Sequence, residues 1–133
     1  VDPIKYPKWT LDRYASHNIE YIQKKGEEIN EIGYDEVWIY NCLQHVVSPE
    51  KIINNAKKAA PVIRIFEWID IPAHEGHPHE LKEDKLNQWL EGRGKIAQID
   101  YNEYSSVFNS NLPTIKNRID NRGACYYGVF SGW

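Results

Sequence analysis

The chain has 133 residues, 41% of them hydrophobic and 26% charged, with a formal net charge of −3. That is enough for one domain around a single core, here taken as residues 1–133, and no stretch approaches the roughly 20 apolar residues of a membrane span. The charge balance offers no basic field for phosphate backbones, which excludes nucleic acid and membrane as default partners and leaves a small molecule as the expected one.

Two cysteines, Cys42 and Cys125, are too few for a disulfide framework or a four-thiolate zinc site, and read as reduced thiols of a cytoplasmic protein. The opening VDPIKYPKW has neither the basic head nor the apolar stretch of a signal peptide.

In chain order, residues 7–17 form a short polar helix or turn, and NIEYIQ (18–23) reads as a short strand. KKGEEINEIG (24–33) is a loop with a short helical piece. Tyr34 to Tyr40 is a continuous apolar run, the pattern of a strand covered on both faces. Ser48-Pro49-Glu50 is a helix entry: Ser48 caps, Pro49 suits the first helical position, and Glu50 favours the positive end of the dipole. Ile52, Ile53, Ala56, Ala59 and Ala60 follow at helical spacing, and Pro61 stops the helix.

PVIRIFEWID (61–70) is the next strand, and IPAHEGHPHE (71–80) is a loop punctuated by Pro and Gly. Leu81 opens a helix with Leu86, Trp89 and Leu90 on one side, closed by EGRG. Residues 95–101 and 124–133 are the last two strands, separated by Asn102 to Arg122. Most of the aromatic residues, Trp9, Trp38, Trp68, Trp89, Tyr126, Tyr127 and Phe130, read as core, while Lys57 and Lys58 read as a solvated helix face. Alternating strand and helix periods predict an α/β chain built on a parallel sheet.

In open α/β sheets, ligands sit beyond the carboxyl ends of the strands. The apolar run ending at Tyr40 gives way to Asn41, Cys42, Gln44 and His45, and VIRIF gives way to Glu67, Trp68 and Asp70. Two strands that turn polar at the same end predict a crevice there.

These residues carry a family resemblance. DEVWIYNCLQHVVSPEKIINNAKKAAPVIRIFEW (35–68) resembles the fourth strand, following helix and fifth strand of class I S-adenosylmethionine-dependent methyltransferases. Gly26-Glu27-Glu28 resembles that family's acidic loop after strand three, and Val1-Asp2-Pro3 the end of its strand two. GHPHELKEDKLNQWL resembles the His-rich loop and helix after strand five, and ACYYGVFSGW its antiparallel last strand. The resemblance implies a Rossmann-like sheet, mostly parallel with an antiparallel last strand, and S-adenosylmethionine as cofactor. The family's glycine-rich loop has no counterpart, since no Gly-x-Gly-x-Gly occurs in the chain. On this resemblance the chain is expected to be the carboxyl-terminal part of such a domain, truncated at the amino terminus, and to bind the cofactor weakly. A non-catalytic remnant serving as a binding or assembly module is the rival expectation.

By the same resemblance, Asp2 holds the ribose hydroxyls, as a carboxylate can accept both bonds of a vicinal diol. Glu27 and Glu28 lie near the adenine, and Asn41 and Cys42 complete the cofactor side. His45 has two readings: a base for the acceptor, with its ordinary pKa near neutrality, or a histidine that fixes the strand-to-helix loop. Glu67, His77 and His79 are the expected acceptor-side residues. His74, His77 and His79 have a spacing that can bind metal, but Gly76 and Pro78 point to a mobile loop, and no metal is expected. Because the missing first strand would lie beside the YDEVWIY strand, an unpaired edge is expected there, covered either by Ile19 to Gln23 moving in beside Val37 to Tyr40 or by a second chain, with a homodimer as the favoured expectation.

Overall fold

The computed structural model describes residues 1–100 and 122–133. Helix α1 (Lys8–Ser16) is followed by a 3-10 turn at Gly26–Glu28, strand β1 (Val37–Tyr40) and a second 3-10 turn at Leu43–His45. Then come α2 (Pro49–Ala59), β2 (Val62–Ile69), α3 (Glu83–Leu90), β3 (Lys95–Asp100) and β4 (Arg122–Ser131). Residues 101–121, which hold most of the predicted connection from Asn102 to Arg122, lie outside the described residues.

The four strands form one sheet in the order β1-β2-β4-β3. β1 pairs parallel with β2, and β4 runs antiparallel to both β2 and β3. Three strands therefore share a direction and the last strand opposes them, the predicted α/β arrangement.

Register explains the core. Ile39 lies opposite Ile65, and Ile63, Ile65, Glu67 and Ile69 pair with Phe130, Gly128, Tyr126 and Ala124. Because strand side chains alternate, all of these share one face. That face packs against Ile52, Ile53 and Ala56 of α2 and Leu86 and Leu90 of α3 to make the main core.

α2 begins as its sequence dictates. The Ser48 side chain accepts the Lys51 N–H at 3.4 Å, Pro49 occupies the first turn, and the Ala60 N–H closes the other end on Ala56 O. α3 ends at Glu91, whose left-handed backbone (φ 53°) breaks the helix.

Several expectations are corrected. The strand at 18–23 does not form. Among the described strands none pairs with it, and the segment is tied instead to the amino-terminal residues, by Asp2 N–H on Ile22 O at 3.2 Å and by the Tyr21 hydroxyl on Asp2 O at 2.8 Å. The strand predicted from Tyr34 starts at Val37, because the N–H groups of Gly33 and Tyr34 both turn to the carbonyl of Ala59 at 3.1 Å. Nor is β1 covered on both faces: Trp38 is 65% and Tyr40 51% exposed. Their face carries Arg64, Phe66, Tyr127 and Val129, and only its far end is sealed, where Trp68 and Cys125 bury against Phe66, Ile71 and Ala97.

Trp9, Trp38 and Tyr127 are thus surface aromatics, whereas Trp68, Tyr126 and Phe130 are core. Lys57 is not a purely solvated residue either. Its ammonium pairs with Glu91 and lies 5.7 Å from the centre of the Trp133 ring, whose N–H donates to Ala60 O. No helix among the described residues is long and apolar enough to cross a membrane.

Candidate functional site

A cleft of about 820 Å³ runs along β1 and past its carboxyl end. Asp2, Glu27, Asn41, Cys42 and His45 all line it, with Gly26, Glu31 and Glu36 adding to its polar rim and Val37, Ile39, Ile52 and Ala56 to its apolar wall. Five residues singled out from sequence thus converge from three separate segments. Glu28, Glu67, His77 and His79 do not line it.

The turn after β1 is built against strain. Asn41 has a left-handed backbone, φ 51°, uncommon for a residue with a Cβ. Its N–H still extends the sheet, donating to Phe66 O at 2.7 Å. The next two N–H groups, of Cys42 and Leu43, both donate to Glu67 Oε1, at 3.0 and 3.1 Å. Glu67 is completely buried, and its Oε2 has no partner. Burial lifts this carboxyl to about 7 against the opposing pull of the two amides. The correction to the expected acceptor-side role is therefore positional: Glu67 faces the core and the turn rather than the cleft. Its sequence parity with Ile63, Ile65 and Ile69 is the signal that marks it as inward-facing.

Glu27 makes the same kind of contact in a different setting. Its Oε1 accepts the N–H groups of Val47 at 2.8 Å and Ser48 at 3.0 Å, fixing the entry to α2. Burial acts to raise its pKa, but the N–H donors outweigh it and the net position is below the usual carboxylate value. Asn55 of α2, which sequence reasoning passed over, donates to both Gly26 O and Glu27 O at 3.3 and 3.1 Å. Nothing in its polar helical setting announces that reach. Gly26 packs close to α2, and a Cβ there would come within 2.7 Å of the terminal methyl of Ile52, which would have to shift.

Asp2 spends its carboxylate locally, Oδ1 accepting the Ile4 N–H at 2.8 Å and Oδ2 the Tyr6 hydroxyl at 3.2 Å. Cys42 is inert: burial first, then the neighbouring Glu67, pushes its thiol up to about 12. Glu36 accepts both a bidentate Arg64 and the Trp38 indole N–H, which hold it down near 2.

The His-rich loop is tied down rather than free. His74 and His77 exchange backbone hydrogen bonds at 3.0 and 2.9 Å across a tight turn in which Gly76 takes φ 82°. The Gly76 carbonyl accepts from His45 Nδ1 at 2.7 Å, and His79 Nε2 donates to the carbonyls of Val46 and Val47. His77 packs between His45 and His74, ring centres 4.2 and 4.3 Å apart, and burial followed by the two neighbouring imidazoles lowers its pKa. A carbonyl partner requires His45 to carry its proton on Nδ1, which leaves Nε2 as the basic nitrogen. His45 thus ties the turn after β1 to the His-rich loop at Gly76, not within the strand-to-helix loop itself. Among the described residues, no group of three His, Cys, Asp or Glu side chains is arranged to hold a metal ion.

No family model matches the chain, and no curated protein matches it by sequence. Solved structures do. A candidate methyltransferase from Bacillus halodurans superimposes with a TM-score of 0.64 at 11% identity, covering 98% of this chain and 80% of that one. The cyclase SpnF gives 0.61 at 11% identity over 92% of this chain and 60% of its own. The N-terminal domain of EvdMO1, solved with S-adenosylhomocysteine bound, gives 0.54 at 13% identity over 95% and 59%. The chain thus spans about three-fifths of the latter two. Its sheet order, its antiparallel last strand and these superpositions together establish the fold as that of the class I S-adenosylmethionine-dependent methyltransferases.

Proposed function

We propose that this chain is a methyltransferase-type domain whose cleft beside the carboxyl end of β1 receives S-adenosylmethionine, for transfer of its methyl group to a small acceptor. The observation that carries the reading is the convergence of Asp2, Glu27, Asn41, Cys42 and His45 on that one cleft. When bound, the cofactor supplies a methyl group on a positively charged sulfur, displaced in line by the acceptor.

The residues present fit such a ligand. The cleft carries the carboxylates of Asp2 and Glu27 and an apolar wall from Val37, Ile39 and Ile52, a combination suited to a cation joined to a flat base. Asn41, exposed at the strand end, offers a side-chain donor and acceptor. His45 Nε2 can take the proton of a hydroxyl or amine acceptor, its ring held by the Gly76 carbonyl. The His45–His77 contact supports an acceptor-side role for the His-rich loop, with His77 and His79 standing behind His45 rather than in the cleft.

A second reading is favoured by one contact set. Asp2 already accepts one hydrogen bond on each carboxylate oxygen from its own turn, so a ribose there would have to share an acceptor engaged in local structure. A domain that binds without turning over, serving assembly, fits that economy, and the likeness to a cyclase shows that the fold alone does not select a reaction.

Calorimetric titration of the chain with S-adenosylmethionine and S-adenosylhomocysteine tests the proposal. Weak binding of both is expected, because Gly26 is the one glycine lining the cleft and backbone amides have little close approach to a ligand. No binding of either at millimolar ligand would overturn it. Binding without methyl transfer to any hydroxyl, amine or thiol acceptor would favour the second reading.

A further inference from the structure

We propose that Glu67 works as a neutral carboxylic-acid clamp that positions the Asn41–His45 edge of the cleft, and that loss of its proton releases that edge. The geometry is asymmetric. Oε1 takes both backbone N–H groups, of Cys42 and Leu43, while Oε2 takes none and is sealed from solvent. That is the pattern of a carboxylic acid: one carbonyl oxygen accepting two bonds and one hydroxyl oxygen. An ionised carboxylate in the same place would bury a negative charge with no cation beside it among the described residues, answered by two amides and the weak Cys42 thiol donor, a cost relieved by admitting water or by moving the turn away.

The clamp acts on the right place. Asn41 sits at φ 51°, a left-handed conformation that Asn tolerates, immediately before the two clamped amides, so the clamp fixes the chain where it leaves the strand. Asn41, Cys42 and His45 all line the cleft, whereas Glu67 does not, which makes Glu67 a positioning residue for the proposed function.

The groups facing Glu67 stay protonated while it titrates. On the turn, the Cys42 thiol is pushed up to about 12 by burial and by the charge and hydrogen bond of Glu67, and its bond acts with the two amides to lower the Glu67 carboxyl against burial. On β4, Tyr126 lies opposite Glu67 in register, with its hydroxyl committed to Asn87 Oδ1 and its pKa also raised to about 12 by burial. His45, on the same turn, turns its Nδ1 to Gly76 O. Glu67 itself titrates at about 7, so the clamp holds at mildly acidic pH and releases at mildly alkaline pH.

Amide hydrogen exchange at Cys42 and Leu43, compared between wild type and Glu67→Gln at each pH, tests this with no ligand present. Glutamine keeps the Oε1 acceptor and cannot ionise. Wild type and variant are expected to protect these amides equally at about pH 6, with wild type losing protection relative to the variant at about pH 8; a His45→Gln chain should show the same loss. A ratio that does not change with pH, or a loss abolished by His45→Gln, would overturn the proposal. Should Glu67→Gln fail to fold, the side-chain carboxyl of Glu67 in wild type, followed by ¹³C resonance, must titrate near 7; a midpoint in the ordinary glutamate range would overturn the proposal instead. This inference takes its functional meaning from the cofactor reading, and S-adenosylhomocysteine separates the two. Its affinity for wild type should fall from about pH 6 to about pH 8 more than for Glu67→Gln. Equal falls in the two would count against the clamp, while no binding to either would sink the functional reading and leave the exchange result to decide the clamp.

Discussion

The carboxylate of Glu27 accepts the backbone N–H of Ser48 at 3.0 Å, so the residue that caps α2 is itself held in place by an acidic side chain 21 positions earlier. Glu27 also holds the Val47 N–H. Removing this carboxylate leaves two amides at a helix entry to find other partners. Glu27→Ala is expected to lower stability by about 1 to 2 kcal/mol, measured by urea unfolding near neutral pH. Because its folded pKa is depressed, the contribution is present above the ordinary glutamate value and fades as pH falls through the folded one. The variant and wild type should therefore converge in strong acid; a difference that persists there would assign the effect to packing.

Glu67 predicts the opposite slope. The same two-amide contact is made inside the core, and burial outweighs the hydrogen bonds. A carboxyl raised in the folded state contributes stability that is complete below its unfolded pKa and is lost as pH rises through about 7. At about 1.4 kcal/mol per pH unit of displacement, unfolding free energy is expected to drop by about 3 kcal/mol in all between about pH 4 and about pH 8, about 1 kcal/mol of it above about pH 6. Glu67→Gln should flatten that slope. A wild-type profile that stays level over this window would contradict the assignment.

For His45, the expectation separates chemistry from binding. His45→Gln removes the basic Nε2 lone pair, and with an acceptor in hand turnover should fall by about a hundredfold or more while cofactor affinity stays close to wild type. Loss of both together would place the residue in holding the loop through Gly76.

What the sequence made legible is local. Ser48, Pro49 and Glu50 announce a helix entry because capping depends on three or four neighbouring residues, and the structure builds it as read. The change from Tyr40 to Asn41 was readable for a related reason: a buried strand loses its apolar character where it leaves the sheet, and the cleft lies at that point. What failed depends on distant partners. The run Val37-Trp38-Ile39-Tyr40 looks the same whether one face or two are covered, and only packing against α2 and α3 decides that Ile39 is inside and Trp38 outside. Residues 18–23 have strand composition, but none of the described strands pairs with them. Glu67 read as a pocket residue because it is polar near a strand end, although its alternation with Ile63 and Ile65 points it inward.

Self-association is the expectation that β1 raises. Among the described strands β1 pairs with β2 alone, at the sheet edge, and Trp38 and Tyr40 stand exposed beside that edge with ring centres 5.8 Å apart. An unpaired edge flanked by aromatic surface favours pairing with a second chain, here a homodimer. Sedimentation equilibrium at micromolar concentration should show a dimer that Trp38→Lys weakens. A clean monomer would refute it.

The far side of the core offers the sharpest structural test. Tyr126 is fully buried on β4, yet it carries a hydroxyl, and burial without a partner would cost about 1 to 3 kcal/mol. It is satisfied twice: the hydroxyl donates to Asn87 Oδ1 at 2.9 Å and accepts the Gly94 N–H at 3.0 Å. Asn87 Oδ1 takes the Gly94 N–H as well, at 3.0 Å, so α3, the loop after it and β4 meet at one point. That meeting requires Gly94 to come almost against the ring, and a Cβ there would lie within 2.7 Å of three ring atoms of Tyr126. Neither partner can yield easily, since the ring stacks on Phe130 at 6.2 Å on its own strand. Gly94→Ala is therefore expected to cost about 1 to 3 kcal/mol by overpacking, and Tyr126→Phe about 1 to 3 kcal/mol by leaving buried polar groups unmet. Combined with Gly94→Ala, Tyr126→Leu should recover part of the loss, because a smaller side chain gives the new methyl room. Thermal unfolding of the two single variants and the double variant measures this, and strict additivity would show that the clash is relieved elsewhere.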